Sequence, residues 1–243
     1  MIEMKNISWQ TPAGRPILQN VSLKLRDKRL IAISGPNGSG KTTLARILMG
    51  VEQPTSGTLL WQGKDITSLD VTARARLGIS FGFQQPVSFK GLTVRRMLNL
   101  AAGYELSEEK ACKLLQQVGL CARSYIDRDI DSTLSGGESK RIEIATVLAR
   151  NTDFVIFDEP EAGIDLWSFE RLIEVFEQMR RQQNRTLVII SHQERLLRIA
   201  DEIVILADGR VSDHGPGPEM LSKMLQGEQW LTHRCGRREL SYE

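Results

Sequence analysis

Cysteine is scarce: three residues, Cys112, Cys121 and Cys235, in a chain of 243. So few, so irregularly spaced, exclude a disulfide framework and a zinc knuckle. Cys235 follows His233 by two positions, a pairing that can touch a metal but is ordinary surface sequence on its own. Cys112 falls beside the stripe Ala111, Leu114, Leu115 and Val118 of an expected helix, where packing is its expected role. Long apolar runs are also missing; none approaches the ~18 residues of a membrane span. The opening segment, Met1 to Trp9, lacks the basic head, apolar stretch and cleavage site of a secretory leader. A cytoplasmic protein is therefore expected. Neither sign of charge dominates: 32 Lys and Arg against 30 Asp and Glu leave a formal +2. That balance supplies no electrostatic footprint for nucleic acid or an anionic membrane, and no nucleic-acid partner is expected. Repeats, low-complexity stretches and long linkers are absent too.

What remains is ordinary globular usage, 41% hydrophobic and 26% charged, in a chain long enough for one large domain with a small insertion. Short apolar runs recur, each followed by a helical pattern. Leu30 to Ile33 leads through a glycine-rich turn into a helix from about Lys41 to Met49. Phe154 to Phe157 and Leu187 to Ile190 are continuous apolar runs, as in strands covered on both faces. This alternation predicts an α/β fold with a mainly parallel sheet and ligands at the carboxyl ends of its strands. The first ~28 residues and Thr58 to Trp61 read as additional antiparallel strands. Between residues 85 and 133 helical signals replace strand signals (Thr93 to Ala101, Ser107 to Val118). Ser107, Glu108 and Glu109 start the second of these helices and Gly119 stops it. This stretch is expected to be an inserted helical subdomain. The core is then residues 1–84 and 134–214, and residues 215–243 form a tail with a helix near Glu219 to Gln226.

Three segments carry chemistry. Gly35-Pro36-Asn37-Gly38-Ser39-Gly40-Lys41-Thr42, followed by Thr43, matches G-x-x-x-x-G-K-[ST] between a strand and a helix. Glycines let successive N–H groups point inward at phosphate oxygens, and the helix N-terminus adds partial positive charge. Lys41 would reach the β- and γ-phosphates of ATP, with the Thr42 hydroxyl on Mg2+. Asp158 and Glu159 end a buried strand at the ligand edge. Two acids there are costly unless a cation or bound water uses them. Asp158 suits a magnesium-orienting role and Glu159 a general base. Leu134-Ser135-Gly136-Gly137-Glu138 places two glycines ahead of an expected helix from Glu138 to Ala149, a second anion site.

With that segment the sequence resembles the ATP-binding cassette proteins over nearly its whole length. The resemblance implies an ATPase with the P-loop nucleotide-binding fold of that family: a mainly parallel core sheet, an antiparallel β subdomain and an inserted helical subdomain. It implies a head-to-tail homodimer on ATP binding, in which Ser135, Gly136 and Gly137 of one copy close over nucleotide held by the other. Gln84 resembles the glutamine that senses magnesium and the attacking water, Asp165 the aspartate that crosses the interface, and His192 the histidine at the γ-phosphate. The family stacks adenine on an aromatic near the start of the chain. Trp9 is the nearby candidate, although it falls about two residues early and also fits a packed strand tryptophan.

Within the family, several segments are similar to the Suf-type iron–sulfur cluster assembly ATPase. Residues 135 to 144 agree with S-G-G-E-x-K-R-x-E-I. Phe83-Gln84-Gln85-Pro86-Val87 with Gly91 to Val94, Ala162-Gly163-Ile164-Asp165, His192 to Leu197 and Glu228-Gln229-Trp230-Leu231 follow the same pattern. Pro160 and Gln85 depart from it; Pro after Asp-Glu is a transporter habit. The resemblance implies a soluble SufB/SufD-like scaffold as partner. The alternative is the ATP-binding subunit of a membrane transporter, peripheral to the inner face of the membrane.

Overall fold

The computed structural model describes residues 1–83, 91–131, 133–182 and 185–234, with side chains through Gln226. Two sheets carry the fold. The first is antiparallel: β1 (Ile2–Gln10), β2 (Pro16–Leu25), β4 (Ser56–Trp61) and β5 (Lys64–Asp65) lie in the order β2-β1-β4-β5. The second holds β3 (Leu30–Ser34), β6 (Ile79–Gly82), β7 (Phe154–Asp158), β8 (Thr186–Ile190), β9 (Glu202–Ala207) and β10 (Arg210–Pro216) in the order β10-β9-β3-β8-β7-β6. Its neighbours are parallel except for the β9–β10 hairpin at one edge.

The continuous apolar runs have a direct structural reason. In β3, β7 and β8 alternate residues enter two different cores. Leu30, Ala32, Val155, Phe157, Leu187 and Ile189 join the helical side. Ile31, Ile33, Phe154, Ile156, Val188 and Ile190 face α1 (Lys41–Met49) and the antiparallel sheet. All five residues of each of the three strands are buried, so the runs are apolar throughout and polar side chains fall only at their ends, at Ser34, Asp158 and Thr186.

The helical side comprises α3 (Val94–Ala102), α4 (Glu108–Gln117), α5 (Ala122–Tyr125), α6 (Gly136–Arg150), α7 (Leu166–Gln182), α8 (Glu194–Arg198) and α9 (Gly217–Arg234). Thr93 caps α3 through Arg96 N, and Ser107 caps α4 through Lys110 N. Both α3 and α4 pack on α6, and Val94, Leu98, Ala111 and Leu115 belong to the same core as the sheet. Cys112 is partly buried against it, a packing residue as expected. Two boundaries differ from the sequence reading. α6 begins at Gly136, two residues early, because Ser135 rather than a glycine is its N-cap. α9 runs well beyond Gln226.

One buried cation positions α1. Arg74, on α2 (Val71–Arg76), is 1% exposed and faces carbonyls instead of a carboxylate. It donates to Leu69 O at 3.0 Å, Leu48 O at 3.1 Å, Thr67 O at 2.8 Å and also to Ile47 O. Ile47 and Leu48 lie in the last turn of α1, where carbonyls lack helical partners and the dipole is negative. Burial pushes the guanidinium down to about 10. Arg74→Met keeps the packing of the stem but removes the guanidinium donors from these carbonyls, of which Ile47 O keeps the Gly50 N–H. We expect it to lower stability by about 3 kcal/mol, read from urea denaturation.

Candidate nucleotide-binding site

The chain leaves β3 through a turn that only glycine permits at two points. Gly35 has φ 141°, and a Cβ there would lie 1.9 Å from the Leu206 carbonyl oxygen. Gly40, at φ 100°, would place a Cβ 2.6 Å from Leu18 Cδ2. Gly40 is also the N-cap of α1 and offers no side-chain cap, which leaves first-turn N–H groups for an anion. Lys41 Nζ donates to Gly35 O at 2.8 Å and Pro36 O at 3.0 Å. Burial pushes its ammonium down, and the nearby Glu159 and Asp158 oppose that shift. Ser39 Oγ is buried with no partner among the described residues. Convergent donors of this kind suit an oxygen-rich anion.

Asp158 ends β7 at 2% exposure. Burial pushes its carboxyl up; the hydrogen bond from Thr42 opposes this, and Glu159 adds to it. Its Oδ1 has no partner among the described residues. A hydroxyl beside a buried carboxylate with an orphaned oxygen fits a hard divalent cation such as Mg2+, which takes few protein ligands and completes its shell with phosphate oxygens and water.

Glu159 follows at φ 45°, in the left-handed region, with its N–H donating to Ile190 O at 2.9 Å. Such backbone costs roughly 1–3 kcal/mol and concentrates at functional sites. Its effect is to set Glu159 in a cleft of about 490 Å³ that Ile17, Lys41, Thr42, Thr43 and His192 also line. Asn37, Gly38 and Gly40 complete the wall. Trp9 is partly buried against the second core and is not among the described residues lining this cleft; Ile17 is the apolar side chain there.

Two carboxylates that sequence reasoning gave no structural role hold this site together. Glu161 accepts a hydrogen bond from Ser191 Oγ, and Ser191 Oγ accepts from Gln193 N at 3.0 Å. Ser191 N–H donates to Ile33 O at 3.2 Å. The loop carrying His192 is thereby tied to the end of β7. Burial pushes the Glu161 carboxyl up, against the Ser191 hydrogen bond. Folding thus favours its neutral form, and native stability falls as pH rises above the unfolded carboxyl pKa. Glu161→Gln should therefore stabilise the fold by an amount that grows as pH rises above the unfolded carboxyl pKa of about 4.3, measurable as a pH-dependent gain in Tm.

The second is Glu143, read in the sequence only as a family marker. It pairs with the fully buried Lys140 at 3.0 Å and accepts from Phe83 N at 2.6 Å, while Lys140 Nζ donates to Phe83 O. Both backbone groups of Phe83 are held by α6. Gln84, Gln85, Pro86, Val87, Lys90 and Cys235 lie outside the described residues, as do the side chains of 228 to 231. The sequence carried a faint signal for the clamp, a Lys and Glu three apart on one helix, but nothing that pointed it at Phe83.

The signature turn lies elsewhere on the chain. Ser135 and Glu138 form a capping box: Glu138 N donates to Ser135 Oγ at 3.2 Å and Ser135 N to Glu138 Oε2 at 2.7 Å. Tyr125 OH also donates to Glu138, the largest cause holding that carboxyl below its usual range. Asp165 accepts from Ser168 N at 3.0 Å and Ser168 Oγ at 2.6 Å, and these bonds lower its pKa. A Cβ on Gly137 would meet Asp165 Oδ2 at 3.5 Å, and one on Gly136 would meet Gly163 O at 3.4 Å. Lys41, Thr42, Asp158, Glu159 and His192 thus converge. Gly136 lies against Gly163 and Gly137 against Asp165, and neither they nor Ser135 are among the described residues lining the cleft.

Comparison with known proteins agrees with this geometry. A family model described as "ABC transporter" matches residues 18–162. An uncharacterised ABC transporter ATP-binding protein of Methanocaldococcus jannaschii is 38% identical over 215 residues, 85% of this chain and 86% of its own. The sulfate/thiosulfate import ATP-binding protein of a Synechocystis species is 32% identical over 208 residues, 84% of this chain and 57% of its own. Among solved structures, a dimeric ATP-binding cassette in a post-hydrolysis state with ADP and Pi superposes with a TM-score of 0.78 at 26% identity, covering 89% of this chain and 98% of that one. Cradle, buried acids, capped glycine turn and relatives converge on one statement: the chain belongs to the ABC transporter family of ATP-binding cassette proteins.

Proposed function

We propose that this chain binds and hydrolyses ATP as a head-to-tail homodimer and drives conformational change in the partner of a membrane transporter. The observation that carries the reading is the split between the cleft, where Lys41, Glu159 and His192 meet, and the Ser135–Gly137 turn, which joins Asp165 instead. A second copy brings the missing donors, as the dimeric structural relative suggests by analogy.

In this reading the backbone N–H groups of the turn of residues 35 to 43, all but Pro36, which has none, and the Lys41 ammonium bind the phosphates. Thr42 and Asp158 would hold Mg2+, which when bound neutralises phosphate charge, and Gln84 is assigned beside it. Glu159 takes the proton of the attacking water, and His192, held by the Ser191–Glu161 tie, orients against the γ-phosphate. Ser135, Gly136, Gly137 and Asp165 act across the interface. Residues 85–133 would serve as the subdomain that feels the nucleotide through Gln84. The Lys140–Glu143 clamp on Phe83 gives that coupling a stiff anchor.

The relatives are transporter ATP-binding proteins by name, which favours a membrane partner. No helix among the described residues is long and apolar enough to cross a membrane itself. A Suf-type scaffold is the second reading, favoured by the residue pattern of 135 to 144, in which Glu143 and Lys140 do specific structural work. Native co-purification tests the choice. We expect a multi-span protein in the detergent extract; recovery of a soluble scaffold, with loss of iron–sulfur enzyme activity on depletion, would overturn the transporter reading.

A further inference from the structure

Glu138 sets a negative charge at the helix end that the reading above gives to a phosphate. It is the third residue of α6, directly after Gly136 and Gly137. A carboxylate and a phosphate both suit the N–H groups of a first helical turn, and two anions at one end repel each other. The contacts of Glu138 show where its charge is taken up. Oε2 accepts from Ser135 N at 2.7 Å within the capping box, and Oε1 accepts from Tyr125 OH. Arg128 Nη1 lies 3.8 Å from the same Oε1, and the guanidinium stands 5.4 Å from the centre of the Tyr125 ring.

Tyr125 and Arg128 are themselves fixed. The Tyr125 ring packs against the helical core. The chain after it runs beside the entrance of α3: Arg95 N donates to Ile126 O at 2.8 Å, Val94 N to Arg128 O at 3.0 Å and Ile130 N to Leu92 O at 2.9 Å. Arg128 Nη2 also donates to Thr133 O at 3.1 Å, two residues before Ser135. A hydroxyl and a guanidinium on so rigid a support restrain the carboxylate that they face. We propose that Tyr125, assisted by Arg128, is a positioning residue for the signature turn: it holds the Glu138 charge aside, so that the Gly136 and Gly137 N–H groups stay open to phosphate bound by the other copy. The capping box alone does not achieve this, because Ser135 N engages one carboxylate oxygen and leaves the other at the helix end. The inference rests on the head-to-tail reading above and names the residues that make an acidic signature turn compatible with it.

The test uses the Glu159→Gln protein as parent, followed by sedimentation velocity with ATP and Mg2+. Tyr125→Phe keeps the ring and removes the hydroxyl. It should weaken ATP-dependent dimerisation about tenfold, as the loss of one hydrogen bond to a charged group implies. Fluorescent-nucleotide binding to the monomer should be unchanged, since Tyr125 is not among the described residues lining the cleft. Arg128→Gln, which leaves the ring untouched, should weaken dimerisation about threefold, as befits a long and partly exposed ion pair. Each substitution is then repeated with Glu138→Gln added. An amide still accepts from Ser135 N but carries no charge, so both substitutions should now change dimerisation by less than about twofold. A merely structural part for Tyr125 would weaken dimerisation as much with Glu138→Gln as without it. That result, or dimerisation unmoved by Tyr125→Phe and Arg128→Gln in the parent, overturns the positioning role and leaves the head-to-tail reading standing. A parent that stays monomeric with ATP removes that reading and this inference together.

Discussion

The Glu159→Gln protein is expected to bind ATP and hydrolyse it about 10²–10⁴-fold more slowly than the unaltered chain. The amide keeps the volume and polarity of the side chain in the cleft but cannot take a proton. The left-handed backbone at Glu159 aims the residue beside Lys41 and His192, so its loss removes the base without loosening the phosphate cradle. Lys41→Ala should behave in the opposite way. Lys41 is 7% exposed and its ammonium is bonded to two carbonyls of the loop. Removing it takes away both a phosphate partner and a brace of the turn, and nucleotide binding should be abolished. Calorimetry reads binding, and single-turnover assays read the chemical step. Normal turnover in Glu159→Gln would remove the base assignment.

Mixing two inactive proteins, Ser135→Arg and Lys41→Ala, should restore hydrolysis. Each heterodimer then holds one composite site with an intact Lys41 from one chain and an intact Ser135 from the other. Random pairing makes half the dimers mixed, each with one of two sites whole, so recovery should approach about a quarter of the unaltered rate. Ser135 also caps α6, and losing a serine cap costs about 1 kcal/mol. A Ser135→Gly control, which costs only a few tenths, separates a weakened helix from a blocked interface. No recovery, with heterodimers shown to form by pull-down of tagged chains, would place the signature turn on its own chain's nucleotide and end the shared-site reading.

The parts of the site that could be read from sequence are those made by neighbouring residues. Residues 35 to 42 form their cradle from consecutive backbone groups, and Gly35 and Gly40 leave their mark because a Cβ has no room there. Ser135 and Glu138 satisfy each other across one helical turn. Asp158 and Glu159 stand out because two acids interrupt a buried strand. The expected start of α6 falls two residues late because the glycines read as its entrance, although the Ser135-x-x-Glu138 spacing is itself the mark of a helix N-terminus.

What the chain order alone could not supply is every tie between distant segments. Nothing in the sequence marks Arg74, yet it closes the last turn of α1 from 26 or 27 residues away. Lys140 and Glu143 reach back 57 and 60 residues to grip Phe83, and Glu161 spans 30 to Ser191. Helix and strand periodicity, the cradle and the strand-end acids follow from short-range sterics and backbone hydrogen bonding, which act on residues close in sequence. The strand order β10-β9-β3-β8-β7-β6 brings the ends of β3, β7 and β8 side by side. Only that packing, driven by burial of both faces of the sheet, decides which charged side chains lose water and which partner each must then find.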